Sequence, residues 1–159
     1  MNKYQRALDF AAKKHKGQFR IGGADYITHP ISVAKIVRDH GFNEDYQITA
    51  LFHDLLEDTD TSEEEILEYG NEDILKAVKL LTKKEGYVMS EYIAGIKQNH
   101  MAFVVKSADR LHNLIDAQIA DSAFKIKYIE ETKTWYMDFS PEIREALEKL
   151  QNSVLSQTD

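Results

Sequence analysis

Hydrophobic positions recur at helical spacing through almost the whole chain. Tyr4, Leu8, Ala11 and His15 follow one another at intervals of four residues, which indicates one face of an α-helix. Similar three- and four-residue intervals continue along the chain as far as Ile143, Leu147 and Leu150. The two-residue alternation of a half-buried strand does not occur in the sequence. The pattern predicts an all-α protein of about eight or nine helices.

Capping residues indicate where several of these helices begin. Asn43 is a good N-cap for a helix that we predict to continue without interruption to about Asp58. Thr61 is followed three residues later by Glu64, which is the spacing of a capping box for a short helix closed by Gly70. Three further helix starts are predicted from the residues Asn71, Asp121 and Ser140.

The length and composition are those of a folded protein. With 159 residues and 43% hydrophobic side chains, the chain can bury the core of one domain. We assign residues 1–150 to this domain and expect residues 151–159 to form a frayed tail. The absence of cysteine excludes thiol catalysis, disulfides and cysteine-ligated zinc. The longest apolar run covers only residues 101–105, so we expect no membrane partner, and without a signal-peptide pattern we expect a cytoplasmic protein.

Charge is distributed unevenly along the chain. The net charge of −7 combines +5 in residues 1–40, −12 in residues 41–75 and a balanced remainder. An acidic chain of this kind is a poor candidate for binding nucleic acid, so we expect no nucleic-acid partner. The oligomeric state cannot be derived from these features.

The third predicted helix carries polar groups that a core helix does not normally contain. His53 and Glu57 are four residues apart, as are Asp54 and Asp58, so the four side chains are predicted to share one stripe. Three carboxylates without a Lys or Arg on this helix raise one another's pKa. Exposure to water and binding of a cation both explain such a cluster, and this helix alone does not distinguish them.

Two other residues add to this group. Asp109 is predicted to lie beside the apolar stripe of a long helix, and a buried carboxylate needs a partner. A metal ion is one such partner, and an ion pair with Arg110 or Lys106 is another. His29 begins the second helix, where an ordinary polar residue at a helix N-terminus is the alternative interpretation.

The order of these residues along the chain resembles the HD-domain metal-dependent phosphohydrolases. Within them it is most similar to the (p)ppGpp hydrolase domain of the RelA/SpoT enzymes and their small stand-alone relatives. Five blocks carry the resemblance in order, with a weaker match at 131–136, and these blocks are residues 15–20, 26–34, 51–59, 82–83 and 106–114. The resemblance implies the compact single-domain helical HD fold.

The resemblance also implies a metal centre. Its ligands would be His29, His53, Asp54 and Asp109, and the ion would be one divalent cation, most commonly Mn²⁺. Two imidazoles and two carboxylates suit such an ion independently of the resemblance. A cation of this kind polarises a phosphoryl oxygen and lowers the pKa of its water.

The remaining roles are implied in the same way. Glu57 and Asp58 would orient water and transfer protons as catalytic residues. Arg20 and Lys106 would bind the phosphates, and Asn113 would contact the nucleotide. The expected reaction is hydrolysis of the 3′-diphosphate of (p)ppGpp to GDP or GTP and pyrophosphate by an Mn²⁺-dependent enzyme.

The sequence departs from the family pattern next to Arg20. Ile21 and Gly22 replace a basic residue and a serine, and Asp25 replaces the proline before Tyr26. One positive charge near the phosphates is therefore lost and one negative charge is added. This departure leaves open an HD phosphohydrolase that acts on another nucleotide or phosphoester. A catalytically silent nucleotide-binding sensor is a further alternative.

Overall fold

The computed structural model describes residues 1–158 and the side chains of residues 1–156. Its elements are α1 (Lys3–Lys14), α2 (Thr28–Asp39), α3 (Glu44–Phe52), α4 (Leu55–Asp58), α5 (Glu63–Tyr69), α6 (Glu72–Leu81), α7 (Met89–Lys97), α8 (His100–Asp116), a 3₁₀ turn (Ala117–Ile119), α9 (Ser122–Trp135) and α10 (Pro141–Thr158). No strand forms within this part of the chain, although one isolated antiparallel bridge joins Phe19 and Asp25. The all-α prediction is confirmed.

The helix predicted from Asn43 to Asp58 is divided into α3 and α4, so the prediction of an uninterrupted helix was wrong. The main-chain N–H of His53 donates to the carbonyl of Ala50 at 3.4 Å, which is the tighter three-residue spacing of a 3₁₀ turn. Asp54 follows with φ −104° and ψ −2°, near the edge of the helical region. The apolar spacing continues across this turn, so periodicity alone could not reveal it.

The predicted caps are largely confirmed. The side-chain oxygens of Asn43, Asn71, Asp121 and Ser140 each accept a hydrogen bond from a main-chain N–H two or three residues ahead. The capping box was predicted one residue too early, because it is formed by Ser62 and Glu65. The hydroxyl of Thr61 bonds instead to that of Thr59 at 2.6 Å, which leaves Ser62 to cap the helix.

The contacts divide the chain into two compact units, Met1–Ala108 and Asp109–Asp159. In the first unit, α3 is central: it packs against α1, α2 and α6, and its residues 48–52 are all buried. The second unit is built on the packing of α9 against α10, with a core that includes Leu114, Tyr136 and Leu150. The boundary falls inside α8, which is one continuous helix.

The ends of the predicted domain remain predictions. Helix α10 continues to Thr158, so residues 151–158 are helical, and fraying of this segment is not tested by its helical geometry. Asp159 lies outside the described residues. None of the helices in residues 1–158 combines the length and the apolar character needed to cross a membrane.

Candidate metal centre

The turn between α3 and α4 fixes the orientation of His53. Its Nδ1 lies 2.6 Å from the carbonyl oxygen of Ala50, and because a carbonyl only accepts, Nδ1 carries a proton. Nε2 is therefore the ring nitrogen that remains for a metal ion or a second proton. The ring is buried, so this nitrogen is directed into the protein.

His29 and Asp109 approach the same place from other helices. His29 lies in the first turn of α2, and its ring centre is 5.3 Å from that of His53. Asp109 lies on α8. One ligand atom each from His29, His53 and Asp109 can be chosen so that all lie within 4.8 Å of one another. All three residues are buried, with exposed fractions of 1%, 3% and 5%.

Asp54 adjoins this group through its carboxylate. Its Oδ2 lies 3.0 Å from Nε2 of His53 and accepts a hydrogen bond of 2.6 Å from the hydroxyl of Tyr26. If His53 is neutral, two acceptor atoms face each other at this distance, which requires a proton or a metal cation between them. The group with mutually close ligand atoms contains two imidazoles and one carboxylate, and Asp54 adjoins it through His53. Imidazole nitrogens and carboxylate oxygens are donors that a divalent transition-metal ion accepts. The residues therefore fit a divalent metal site.

Glu57 and Asp58 lie on α4, directly after this turn, and both side chains are exposed. Oε1 of Glu57 accepts a hydrogen bond of 2.6 Å from the main-chain N–H of Lys83. The main-chain oxygen of Asp58 accepts one of 2.8 Å from Nε2 of Gln18. The division of the predicted helix places these carboxylates on a separate one-turn helix, in which the main-chain N–H of Asp58 donates to the carbonyl of Asp54 at 2.9 Å.

Arg20 stands at the base of a tight loop. Its main-chain N–H donates to Ala24 at 2.7 Å, and the N–H of Gly23 donates back to Arg20 at 3.0 Å. Gly22 and Gly23 have φ values of 96° and 97°, in the left-handed region that glycine adopts without strain. The guanidinium carbon of Arg20 lies 5.7 Å from the ring centre of Tyr26, which bonds Asp54. The loop therefore brings Arg20 close to a residue of the candidate centre.

Lys106 and Asn113 lie on α8 but have different neighbours. Nζ of Lys106 is 5.7 Å from the ring centre of Tyr92, and Nζ of Lys83 is 5.4 Å from the same ring. Asn113 donates a hydrogen bond of 3.2 Å to Oδ1 of Asp109. Asn113 thus supports a carboxylate of the candidate centre, and its predicted contact with a nucleotide remains a prediction.

The profile of the HD-domain family matches residues 7–140, most of the chain. The chain belongs to the HD-domain family. This assignment agrees with the position of the histidines and carboxylates described above, and it carries the expectation of a bound divalent metal.

Curated relatives of this HD domain come from several bacteria. A guanosine-3′,5′-bis(diphosphate) 3′-pyrophosphohydrolase of Aquifex aeolicus is 34% identical over 140 residues, covering 83% of this chain and 20% of the relative. The enzyme of the same name from Borreliella burgdorferi is 32% identical, covering 69% of this chain and 18% of the relative. A probable GTP pyrophosphokinase of Mycobacterium leprae is 34% identical, covering 69% and 15%. The chain therefore spans a fifth or less of the length of these relatives.

Solved structures support the same fold. A metazoan ortholog of SpoT that hydrolyses ppGpp matches with a TM-score of 0.74 at 24% identity, covering 94% of this chain and 96% of that one. A protein of Listeria monocytogenes matches with a TM-score of 0.57 at 25% identity, covering 81% and 92%. The first likeness is evidence for the HD fold alone.

Sequence reasoning did not assign a role to Tyr26 or Lys83 in this HD domain. Tyr26 bonds Asp54, and the main chain of Lys83 bonds Glu57. Both positions belong to the blocks that carry the family resemblance, which was the available signal. The proposed ion pair between Asp109 and Arg110 is not formed, because Arg110 bonds Glu131 at 2.6 Å and Thr132 at 3.4 Å.

Proposed function

We propose that this HD domain is a metal-dependent phosphohydrolase that removes the 3′-diphosphate of (p)ppGpp, giving GDP or GTP and pyrophosphate. The observation that carries the proposal is the buried group of His29, His53 and Asp109, with ligand atoms within 4.8 Å of one another. The substrate is supported by the curated relatives named as 3′-pyrophosphohydrolases.

The proposed ligands are His29, His53, Asp54 and Asp109, and the proposed ion is Mn²⁺. A divalent cation bound there supplies charge to polarise a phosphoryl oxygen and lowers the pKa of water. Burial of the surrounding protein groups strengthens such electrostatic effects, because water screens them less. The contact between Nε2 of His53 and Oδ2 of Asp54 also supports a cation, because with His53 neutral it places two acceptors 3.0 Å apart.

Glu57 and Asp58 are the proposed groups that orient the attacking water and transfer protons. Their exposure leaves the carboxylates accessible to water and substrate. The hydrogen bond from Lys83 fixes one oxygen of Glu57, and the other makes no hydrogen bond within the described part of the chain. In the reaction, water oxygen bonds to the phosphorus at the ribose 3′ oxygen, that P–O bond breaks, and the 3′ oxygen ends protonated.

The proposed phosphate contacts are Arg20 and Lys106. Arginine binds phosphate through two parallel hydrogen bonds, and lysine acts as a point charge. Lys83 shares the ring of Tyr92 with Lys106, so two positive side chains stand at one aromatic residue. This arrangement favours a polyphosphate as ligand in spite of the net charge of −7.

A second candidate substrate class is favoured by the loop after Arg20. Ile21 is 58% exposed where the family pattern has a basic residue, and Asp25 is also exposed. The lost positive charge favours a nucleotide or phosphoester with fewer phosphates. A silent nucleotide-binding sensor is less favoured, because Glu57 and Asp58 are both present.

The deciding experiment is incubation of purified protein and Mn²⁺ with ppGpp. We expect GDP and pyrophosphate in equal amounts, resolved by ion-exchange chromatography. A panel of nucleotides and phosphoesters is assayed in parallel at the same concentrations. Pyrophosphate release from ppGpp alone supports the proposal, whereas faster hydrolysis of another member selects the second class, and no hydrolysis of any member contradicts both.

The variant Glu57→Gln tests the proposed proton transfer. Glutamine keeps an oxygen that can accept the N–H of Lys83, so the contact at 2.6 Å can be retained while the basic carboxylate is lost. We expect kcat to fall by about 100-fold or more, the usual contribution of general acid–base catalysis, with unchanged affinity for Mn²⁺. Retained turnover removes Glu57 from the mechanism.

The predicted cytoplasmic location is a separate proposal, to be tested by cell fractionation.

A further inference from the structure

A chain of hydrogen bonds defines the protonation of His15, a buried residue next to the candidate centre. Nε2 of Gln18 donates to the main-chain oxygen of Asp58 at 2.8 Å, which fixes the orientation of the Gln18 amide. Its Oε1 then faces Nδ1 of His15 at 2.8 Å. Because this oxygen can only accept, Nδ1 of His15 is the protonated nitrogen.

The other nitrogen of His15 is a buried acceptor. His15 is 2% exposed, and its Nε2 has no hydrogen-bond partner among the described residues. Burial lowers the pKa of the imidazole, so the neutral form with a lone pair on Nε2 is favoured. A buried polar atom without a protein partner is uncommon in native proteins, and ordered water is one group that satisfies such an atom.

The ring of His15 also contacts the residue that orients Asp54. Its centre lies 4.8 Å from that of Tyr26, and the Tyr26 hydroxyl donates to Asp54 at 2.6 Å. The ring centre of Tyr26 is in turn 6.0 Å from that of His29, one of the proposed metal ligands. His15 is thus linked to Asp58 through Gln18 and packs against the partner of Asp54.

We propose that Tyr26 and His15 are positioning residues of the metal centre. Tyr26 orients the carboxylate of Asp54, and Nε2 of His15 accepts a hydrogen bond from a water molecule in the centre. This inference rests on the proposed metal site but not on the identity of the substrate. Groups that orient metal ligands typically change metal affinity by about 10- to 100-fold when they are replaced.

The first test is Tyr26→Phe, which removes the hydroxyl and keeps the ring against His15. We expect the Kd for Mn²⁺, measured by isothermal titration calorimetry, to rise about 10-fold or more. The Tm of the metal-free variant should stay near that of the wild type, which a purely structural role would not explain. Tyr69→Phe is the matched control, since the Tyr69 ring stacks on Phe10 at 4.3 Å and its hydroxyl makes no hydrogen bond within the described residues.

The second test separates the two nitrogens of His15. The variant His15→Asn retains an N–H that can reach Gln18 but has no atom in the position of Nε2. We expect weaker Mn²⁺ binding with little change in Tm. Nitrogen-15 NMR of the metal-free wild type should show a protonated Nδ1 and an unprotonated Nε2, and the opposite tautomer overturns the role of His15.

The outcomes distinguish this inference from the metal-site proposal itself. If the wild type binds Mn²⁺ and both variants bind it equally well, the positioning role is wrong and the metal site stands. If the wild type binds no Mn²⁺, the metal site is wrong and the positioning role falls with it. Weaker binding by both variants with unchanged binding by Tyr69→Phe supports the proposal.

Discussion

Two consecutive residues of α8 are both buried, yet their surroundings differ in kind. The positive charge of Arg110 is compensated by its own chain, although its Nε makes no hydrogen bond within the described residues. The guanidinium bonds Glu131 at 2.6 Å and lies 4.2 and 4.0 Å from the ring centres of Tyr128 and Tyr136. Asp109 contributes an oxygen to a group whose other members are the imidazoles of His29 and His53.

The difference shows how a structural charge is distinguished from a functional one. A buried cation with a carboxylate and two aromatic faces has its compensation inside the protein. A group of imidazole nitrogens and carboxylate oxygens contains acceptors in excess, which the proposed divalent cation would compensate. Burial alone is therefore no indicator of function, and the balance of donors and acceptors is the informative property.

The largest expected effect is that of Asp109→Asn, which keeps the shape and removes the charge. We expect hydrolysis to fall by about 1,000-fold or more, since a bound metal supplies several kcal/mol and each 1.4 kcal/mol is tenfold in rate. The measurements are pyrophosphate release and calorimetric titration with Mn²⁺. The exposed Asp73 offers the control Asp73→Asn, and an Asp109→Asn variant that binds Mn²⁺ normally contradicts the assignment.

Arg110→Met is expected to act on stability and not on metal binding. Loss of the ion pair and both ring contacts should lower the free energy of unfolding by about 3 kcal/mol, measured by urea denaturation. Arg144 of α10 is exposed, so Arg144→Met should change stability little. An Arg110→Met protein as stable as the wild type would remove the basis for calling this cluster structural.

Addition of the metal should stabilise the wild type by a similar amount. At a free Mn²⁺ concentration 100 times its Kd, the free energy of unfolding rises by about 2.7 kcal/mol if the ion binds only the folded state. Chelation with EDTA should reverse the gain, and the gain should be absent in Asp109→Asn. Equal stabilisation of both proteins would show that the ion binds elsewhere.

The smallest effect is expected at Lys125, a second buried cation. It is 1% exposed, and within the described residues its Nζ has only the hydroxyl of Ser153 at 3.1 Å as hydrogen-bond partner. Replacement of a weakly compensated charge by an apolar side chain of similar length is often neutral or stabilising, so Lys125→Met should change stability by about 1 kcal/mol or less. If Lys125→Met lowered the free energy of unfolding as much as Arg110→Met, the number of partners of a buried cation would not determine its contribution to stability.

Much of the fold could be predicted because the helix starts carry local signals. Asn43, Asn71 and Asp121 each cap a helix with their own side chain, which depends on neighbouring residues only. The turn at His53 and Asp54 carries no such signal, because the apolar spacing on both sides is compatible with one helix. The capping box lies one residue later than predicted, because the hydroxyl of Thr61 bonds that of Thr59 and Ser62 caps the helix instead.

The residues of the candidate site could be named from the sequence, but the contacts that hold them could not. His53 and Asp109 stand out as polar groups beside apolar helix positions, His29 was named through the family resemblance, and the structure brings one atom of each within 4.8 Å of the others. The contact of Tyr26 with Asp54 joins residues 28 positions apart, so no local pattern could show it. The same holds for Arg110 and Glu131, whose pairing depends on how α8 and α9 pack.

The two neighbouring carboxylates of α4 are attached to the protein in opposite ways. Asp58 is held through its main chain, because its carbonyl oxygen accepts a hydrogen bond from the side chain of Gln18. Glu57 is held through its side chain, because its carboxylate accepts a hydrogen bond from the main-chain N–H of Lys83. A replacement at position 58 leaves the main-chain bond from Gln18 in place, so Asp58→Asn keeps this anchor of the backbone. A truncation at position 57 also releases the segment around Lys83, and its kinetic loss would combine two effects. Comparison of the kinetic losses of variants at positions 58 and 57 therefore separates the loss of a carboxylate from the effect of a released backbone segment.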